Sequence, residues 1–195
     1  MVIKKLRDFG FNTDNRTYII AEIGINHRGD IKIAKQLIDS AARSGVDAVK
    51  FQTYITEQRA PKGNNEVFKL LKDLELPFEA FKELRDYTKQ YDVDFFSTPF
   101  DKESVEYLES IGTDLYKIAS FDITNHSLLA EVAKTGKPVI ISVGMSNLDE
   151  IREAYRLLSK GTENIAILHC ISSYPTQEKD AKLSNLVKLQ KEFDC

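Results

Sequence analysis

The chain has 195 residues, of which 42% are hydrophobic and 29% are charged, and its formal net charge is -3. This composition is ordinary for a globular domain and argues against disordered, collagen-like and coiled-coil chains. The balance of 30 acidic against 27 basic residues disfavours a nucleic-acid partner. No apolar run is long enough for a membrane span or a leader peptide, so we expect a cytoplasmic protein with no membrane partner. Cys170 and Cys195 are predicted to be free thiols.

Short apolar segments alternate with longer amphipathic segments along the whole chain. The β-rich apolar runs predict strands at 18–23, 46–51, 94–97, 115–119, 138–143 and 165–169. Helical spacing of apolar residues predicts a helix between Asp30 and Gly45 and others at 67–74, 77–91, 102–110, 127–134, 148–159 and 183–193. The polar stretch 56–65 is predicted to be a long loop.

A strand followed by a helix, repeated about six times, predicts parallel strands joined by right-handed crossovers. Because the strands are continuously apolar, both faces of the sheet should be covered. Two architectures fit, a (β/α)8 barrel and an open doubly wound sheet. A complete barrel needs roughly 250 residues, more than this chain has. The segment with Ile3, Leu6, Phe9 and Phe11 is predicted to form a hairpin at the barrel floor.

Polar side chains stand at the same end of every predicted strand. In either architecture the carboxyl ends of parallel strands form the ligand-binding edge. Ionisable groups inside apolar strands are costly unless they are paired or used. The polar residues at or after the strand ends are Glu22, Lys50, Gln52, Ser97, Thr98, Lys117, Ser120, Ser142, His169, Ser172 and Tyr174.

Lys50 and Lys117 each lie within an apolar run, and three interpretations are open. Two ammonium groups together with the hydroxyls of Thr98, Ser120 and Ser142 indicate an anion site suited to phosphate. Alternatively, a lysine has a structural role in an ion pair with a carboxylate such as Glu22, or one lysine is a Schiff-base nucleophile. Glu22 itself fits a general base, a partner of metal-bound water or a lysine counter-ion.

Other motifs add little. His27, His126 and His169 each lack the neighbours that would indicate a metal or catalytic role, so structural or exposed positions are expected for them. The P-loop, GxGxxG, HExxH and GxSxG patterns are absent, which disfavours the common nucleotide-binding, zinc-protease and serine-hydrolase classes.

Six segments in order carry a family resemblance: IIAEIGINHRGD, AVKFQTY, FFSTPFD, YKIASFD, VIISVGMS and ILHCISSYPT. Together they resemble the sialic acid synthase (N-acetylneuraminate synthase) family over about residues 9–193. The resemblance implies an α/β fold, a (β/α)8 TIM barrel, here truncated to about six βα units in one incomplete domain, 1–195. It also implies condensation of phosphoenolpyruvate with a 2-acetamido aldose, such as N-acetylmannosamine or a legionaminic or pseudaminic precursor, with release of phosphate.

The resemblance also implies roles for particular residues. The positions matching the family's phosphate site are Lys50, Thr98, Lys117, Ser120 and Ser142. Ser172 and Tyr174 match positions near the carboxylate of phosphoenolpyruvate and the acceptor sugar. Gln52 matches the sugar end, Asn64 an acceptor contact, and Glu22 a carboxylate near metal-bound water. Glu22, Lys50 and Gln52 are therefore the expected catalytic residues.

A divalent metal, manganese or magnesium, is the implied cofactor, and no organic cofactor is expected. The family's two metal-binding histidines would lie beyond Cys195, as would the last two βα units and a small antifreeze-like domain that reaches over the partner's active site in a homodimer. No residue of this chain is therefore expected to be a metal ligand. Ser172 stands where sialic acid synthases typically carry Asn, which leaves the acceptor sugar open.

We expect the full-length protein to be a metal-dependent synthase and residues 1–195 alone to be inactive or nearly so. Two other functions are kept as alternatives. One is a Schiff-base barrel aldolase that uses Lys117 or Lys50. The other is a truncated binding or assembly module without catalytic activity.

Overall fold

A computed structural model describes residues 17–63 and 65–193 of the chain. The described residues fall into two compact units, an amino-terminal unit of residues 17–114 and a carboxy-terminal unit of residues 115–193. The predicted hairpin around Ile3, Leu6, Phe9 and Phe11 lies outside the described residues, as does Asn64.

The amino-terminal unit is a three-stranded parallel sheet in the order β1-β2-β3 with its connecting helices. Its elements are β1 (Ile20–Gly24), α1 (Ile31–Arg43), β2 (Ala48–Thr53), α2 (Thr56–Arg59), α3 (Asn65–Leu74), α4 (Phe78–Thr88), a 3-10 turn (Lys89–Tyr91), β3 (Asp94–Pro99) and α5 (Lys102–Ser110). The predicted cap Asp30 starts α1, because its carboxylate accepts the backbone N–H groups of Lys32 and Ile33.

The core of the amino-terminal unit explains which way the strand side chains point. Val49 and Phe51 of β2 belong to one buried cluster with Ile38 of α1 and with Phe81 and Leu84 of α4. Since successive side chains of a strand alternate between its faces, the residues between and after them belong to the opposite face. That face of β2 carries Lys50 and Gln52, which are therefore turned away from the helices.

The carboxy-terminal unit contains three parallel strands, paired in the order β4-β5-β6. Its elements are β4 (Tyr116–Ile118), a 3-10 turn (Ser120–Asp122), α6 (His126–Lys134), β5 (Val139–Ser142), α7 (Leu148–Leu158), β6 (Ile165–Leu168), a 3-10 turn (Glu178–Asp180) and α8 (Ser184–Glu192). A capping box starts α7, in which Asn147 accepts the N–H of Glu150 and the Glu150 carboxylate accepts the N–H of Asn147.

Packing in the carboxy-terminal unit is uneven. Leu129 of α6, Ile141 of β5 and Leu158 of α7 are fully buried, whereas α8 has no buried residue. Leu186 and Val187 of α8 are about half exposed. Thus α6 and α7 pack closely against the sheet, whereas α8 has apolar side chains at the protein surface.

All six predicted strand–helix units are present, which confirms the α/β class with repeated parallel βα units. Several details differ from the sequence prediction. The strands β1 and β2 each begin two residues later than predicted. The stretch predicted as one long loop begins with a helix, α2. The helix predicted at 77–91 ends at Thr88 and continues as a 3-10 turn, and His126 is the first residue of α6. None of the helices in the described ranges has the length and apolar run that a membrane crossing requires.

Candidate active site

Lys50 lies at the centre of a polar cluster at the carboxyl end of the amino-terminal sheet. Its Nζ is 2.7 Å from Glu22 Oε2 and donates a hydrogen bond of 3.0 Å to Thr98 Oγ1. The strand register explains this meeting, because Glu22 of β1 pairs with Lys50 and Thr98 of β3 pairs with Gln52. Three neighbouring strands therefore contribute one side chain each to the cluster.

The environment of Lys50 disfavours its charged form. Only 8% of the Lys50 side chain is exposed, against 58% of the Glu22 side chain. Burial lowers the pKa of Lys50, the adjacent Glu22 carboxylate opposes that shift, and the charge of Arg59 adds to it. The sequence left open whether this lysine is an ion-pair partner or an anion ligand. The structure shows the ion pair, with the carboxylate on the solvent side.

Gly24 leaves space for the Glu22 carboxylate because it has no side chain. The register of β1 shifts between Glu22 and Gly24, and Gly24 has a φ of +56°. A Cβ at this position would lie 3.0 Å from Glu22 Oε1 and 3.5 Å from Gln52 Nε2. A side chain here would therefore be strained by the backbone and would crowd the Glu22 carboxylate, while the Gln52 amide would be in ordinary van der Waals contact.

Gln52 accepts a hydrogen bond from Arg59, a residue that no sequence motif indicated. Arg59 Nη2 donates a hydrogen bond of 3.2 Å to Gln52 Oε1. The guanidinium carbon lies 4.5 Å from the ring centroid of Tyr54 and 3.8 Å from that of Phe100. These distances are typical of cation–π contacts, so two buried rings support the group that binds Gln52.

The short helix α2 that carries Arg59 is fixed at its start. The Asp101 carboxylate accepts the N–H of Ile55 at 2.7 Å and, with its other oxygen, the N–H of Ser104 at 2.7 Å. The Glu75 carboxylate accepts the N–H of Thr56 at 3.0 Å. Carboxylates at the start of a helix satisfy otherwise unpaired N–H groups, which stabilises both α2 and α5.

His27 is buried behind the cluster rather than exposed in it. Its ring lies 6.1 Å from that of Phe51, and Nδ1 accepts the N–H of Gly29 at 3.1 Å. Burial lowers the pKa of His27 to about 4, an effect that the nearby Gly24 backbone partly offsets. Within the described residues its Nε2 has no hydrogen-bond partner. The ring is therefore neutral at physiological pH and has a structural role in the loop after β1.

The carboxy-terminal unit holds a second lysine at its strand ends. Lys117 Nζ donates hydrogen bonds of 2.6 Å to Ser142 Oγ and 2.6 Å to the carbonyl oxygen of Ile118. Ser120 Oγ accepts the N–H of Gly144 at 3.1 Å. The predicted residues Lys117, Ser120 and Ser142 thus lie at the ends of β4 and β5, with hydroxyl groups that can turn towards a ligand.

The other predicted site residues of this unit differ in their surroundings. A Cβ on Gly144 would lie 2.9 Å from Ser172 Oγ and from the carbonyl oxygen of Cys170. Ser172 is therefore next to the Ser120–Gly144 contact. Tyr174 is 93% exposed and so is not held in a pocket of this unit.

A cavity of about 420 Å³ in the carboxy-terminal unit contains none of the predicted site residues. It is lined by residues following β5, by His169 and Cys170 after β6, and by Lys182, Asn185 and Lys188 on and before α8. His169 Nε2 is 2.8 Å from the carbonyl oxygen of Ala181, a structural contact. Among the described residues of its lining, Gly144 lies next to two predicted site residues, Ser120 and Ser172.

The described residues do not fit the divalent metal that the family resemblance implies. Across residues 17–63 and 65–193, no three His, Cys, Asp or Glu side chains are grouped so that they could hold a metal ion. The metal therefore stays a prediction for the full-length protein, and no residue of this chain is assigned to it.

Comparisons with known proteins agree on one family. The sequence profile of the NeuB family matches residues 37–195. An uncharacterised protein of Methanocaldococcus jannaschii is 47% identical over 179 residues, which cover 91% of this chain and 53% of that protein. The N,N'-diacetyllegionaminic acid synthase of Campylobacter jejuni is 40% identical over 194 residues, which cover 91% of this chain and 58% of that protein.

A solved structure gives the same result for the fold. The crystal structure of N-acetylneuraminic acid (sialic acid) synthetase from Leptospira borgpetersenii, in complex with citrate, matches with a TM-score of 0.88 and 39% identity, covering 92% of this chain and 63% of that chain. The TIM-barrel-like fold class predicted from the sequence is thereby confirmed. The chain spans about half the length of the curated relatives it matches. The chain belongs to the NeuB family, together with sialic and legionaminic acid synthases.

Proposed function

We propose that the full-length protein condenses phosphoenolpyruvate with a 2-acetamido aldose and releases phosphate. The product is a nine-carbon α-keto acid sugar. Membership of the NeuB family supports a synthase. The observation that carries the phosphoenolpyruvate part is the buried Lys50, which lies between the Thr98 hydroxyl and the exposed Glu22 carboxylate.

An anionic ligand is the natural partner for this cluster. A buried ammonium requires an opposite charge, and here Glu22 supplies it from the solvent side. A phosphate that replaces Glu22 would keep Lys50 neutralised and would take a further hydrogen bond from Thr98. Glu22 would then be released from the ion pair and become available for chemistry.

The family resemblance assigns Lys117, Ser120 and Ser142 to the phosphate as well. In that role their ammonium and hydroxyl groups would stabilise the charge that develops on the phosphate during bond cleavage. Ser172, next to Gly144, and Tyr174 are assigned to the carboxylate of phosphoenolpyruvate and to the acceptor sugar.

The proposed reaction proceeds in three bond changes. The vinyl carbon of phosphoenolpyruvate attacks the aldehyde carbon of the open-chain sugar and forms the new C–C bond. Water adds at C2, and Glu22 orients it or takes its proton. The C2–O bond then breaks, inorganic phosphate leaves with the bridging oxygen, and the water oxygen stays on C2.

The acceptor sugar is placed at the Gln52 end of the cluster, with Asn64 as a further contact. N-acetylmannosamine and the acetamido precursors of legionaminic and pseudaminic acids are the candidates. Manganese or magnesium belongs to the proposal for the full-length enzyme, as does a homodimer. No step is assigned to the metal, since the described residues do not fit it.

Product analysis with the full-length protein tests the proposal. Phosphoenolpyruvate and each candidate sugar are incubated in water labelled with oxygen-18, and the phosphate and the α-keto acid are analysed by mass spectrometry. We expect the label at C2 of the product and none in the phosphate beyond background. Glu22→Gln should lower the turnover by roughly 100-fold or more, the range for loss of a general base.

Two results would contradict the proposal. Label in the phosphate would mean that the P–O bond breaks instead. Trapping of a keto acid on Lys50 or Lys117 by borohydride would show the Schiff-base aldolase, which the lowered pKa of Lys50 makes chemically possible.

A further inference from the structure

The hydrogen bond from Arg59 determines which way the Gln52 amide faces. A glutamine amide presents an acceptor oxygen on one side and a donor amino group on the other. A guanidinium can only donate, so the Gln52 group that contacts Arg59 must be the oxygen. The amino group then lies on the other side, near Gly24, where the Glu22 carboxylate also lies.

Arg59 is well placed to impose this orientation. Its guanidinium is supported by the rings of Tyr54 and Phe100, both of which are buried. Tyr54 is fixed in turn by a hydrogen bond of 2.9 Å from its hydroxyl to the carbonyl oxygen of Leu71. A flat cation supported in this way loses little further freedom when it binds the amide.

We propose that Arg59 is a positioning residue that fixes the Gln52 amide with its amino group towards the ligand. This orientation selects an acceptor sugar that has a hydrogen-bond-accepting oxygen next to the Gln52 amino group. The selection of the acceptor rests on the proposed function, whereas the orientation of the amide does not. Without Arg59 the amide can turn over and offer either a donor or an acceptor, and the discrimination is lost.

The orientation is tested by nuclear magnetic resonance on the full chain. The side-chain amide of Gln52 is assigned through a Gln52→Met variant, and its nitrogen relaxation is compared in the unaltered protein and in Arg59→Met. Methionine keeps an unbranched side chain against the rings but cannot donate. Arg156→Met, which removes an exposed arginine that pairs with Glu153 on α7, is the matched control.

We expect a rigid Gln52 amide in the unaltered protein and in Arg156→Met, and a mobile one in Arg59→Met. An amide that is equally mobile in all three proteins would overturn the positioning role. An amide that stays rigid in Arg59→Met would overturn it as well.

The selection is tested by steady-state kinetics of the full-length enzyme. Arg59→Met should raise the KM for the acetamido sugar roughly 3- to 10-fold, the effect of one misplaced hydrogen bond. The KM for phosphoenolpyruvate should change less than the KM for the sugar, because Arg59 is hydrogen-bonded to Gln52, which is placed at the sugar end. In a Gln52→Met background the same substitution should have no further effect on the sugar KM, because the two side chains act as a unit.

An equal rise of the sugar KM in both backgrounds would show that Arg59 does not act through Gln52 and would overturn the selection. Absence of synthase activity in the unaltered enzyme would instead contradict the proposed function. The relaxation measurement would then still decide whether Arg59 fixes the amide.

Discussion

The two units of the chain each hold a lysine at their strand ends, but they do so by different means. In the amino-terminal unit Lys50 contacts the Glu22 carboxylate and the Thr98 hydroxyl. In the carboxy-terminal unit Lys117 is held by a carbonyl oxygen and the Ser142 hydroxyl. A ligand anion that reaches Lys50 therefore meets the Glu22 carboxylate, whereas one that reaches Lys117 meets the Ser142 hydroxyl. The two lysines thus differ in the oxygen groups described beside them.

The units also differ in how firmly one helix of each is packed, α4 in the first and α8 in the second. In the amino-terminal unit α4 buries Ala80, Phe81 and Leu84 against the sheet. In the carboxy-terminal unit α8 buries none of its side chains. Rigid elements thus support the Lys50 cluster, while the α8 face has apolar surface that further chain or a partner can cover.

Replacing each lysine by methionine should have the largest effect on activity, and it compares the contributions of Lys50 and Lys117. Lys117→Met should lower kcat/KM for phosphoenolpyruvate by about 100-fold through loss of charge stabilisation. Lys50→Met should lower it by roughly 1,000-fold, since Glu22 would then repel the phosphate as well. The measurement is steady-state kinetics of the full-length enzyme.

The double variant Lys50→Met/Glu22→Ala separates loss of the lysine from repulsion by the carboxylate. We expect its affinity for inorganic phosphate to exceed that of Lys50→Met alone. Equal phosphate affinities for the two variants would show that Glu22 does not repel phosphate when Lys50 is absent.

Matched leucine substitutions test the packing difference. Leu84→Ala should lower the free energy of unfolding by about 2–5 kcal/mol, because it leaves a cavity in a fully buried region. Leu186→Ala on α8, where the leucine is 48% exposed, should change it by less than about 0.5 kcal/mol. Urea unfolding of the two variants checks both values, and a large loss for Leu186→Ala would mean that α8 is covered in solution.

A pH dependence of stability is also expected from the amino-terminal unit. The pKa of His27 is about 4 in the folded chain against 6.5 for an unperturbed histidine. Below pH 6.5 the unfolded chain gains a proton that the folded chain does not, so stability falls with pH towards 4 and is unaffected above about 7. His27 should contribute about 2 kcal/mol of this loss between pH 7.5 and pH 5.

The variant His27→Asn isolates this contribution, since asparagine keeps an acceptor for the Gly29 N–H but does not titrate in this range. Denaturant unfolding at several pH values should show a shallower loss of stability in the variant. An identical pH profile for both proteins would contradict the buried neutral state of His27.

Much of the fold was predictable because it depends on local patterns. The cap Asp30 and the apolar spacing after it specify α1, and the predicted range of α5 is the range observed. The four-residue helix α2 was missed because its start is stabilised by Asp101 and Glu75, which are distant in sequence. Short elements held by long-range contacts have no periodic signal of their own.

The candidate site was predictable as a set of positions but not as a set of contacts. Strand ends identified Glu22, Lys50 and Thr98, which the structure brings together. Alternation could have separated Thr98 from Ser97, whose hydroxyl contacts Thr53 at 2.7 Å. Arg59 was missed because no motif surrounds it, although an arginine soon after the aromatic Tyr54 was a usable signal for a stacked cation.

Asp101 links the movements of two loops in the amino-terminal unit. One carboxylate holds both the segment leading into α2 and the first turn of α5. The loop that follows β2 is therefore mechanically coupled to the loop that follows β3. A displacement of the backbone near Phe100 would be passed to Arg59 through the Asp101 carboxylate and through the Phe100 ring, so the two loops should respond to a ligand as one body.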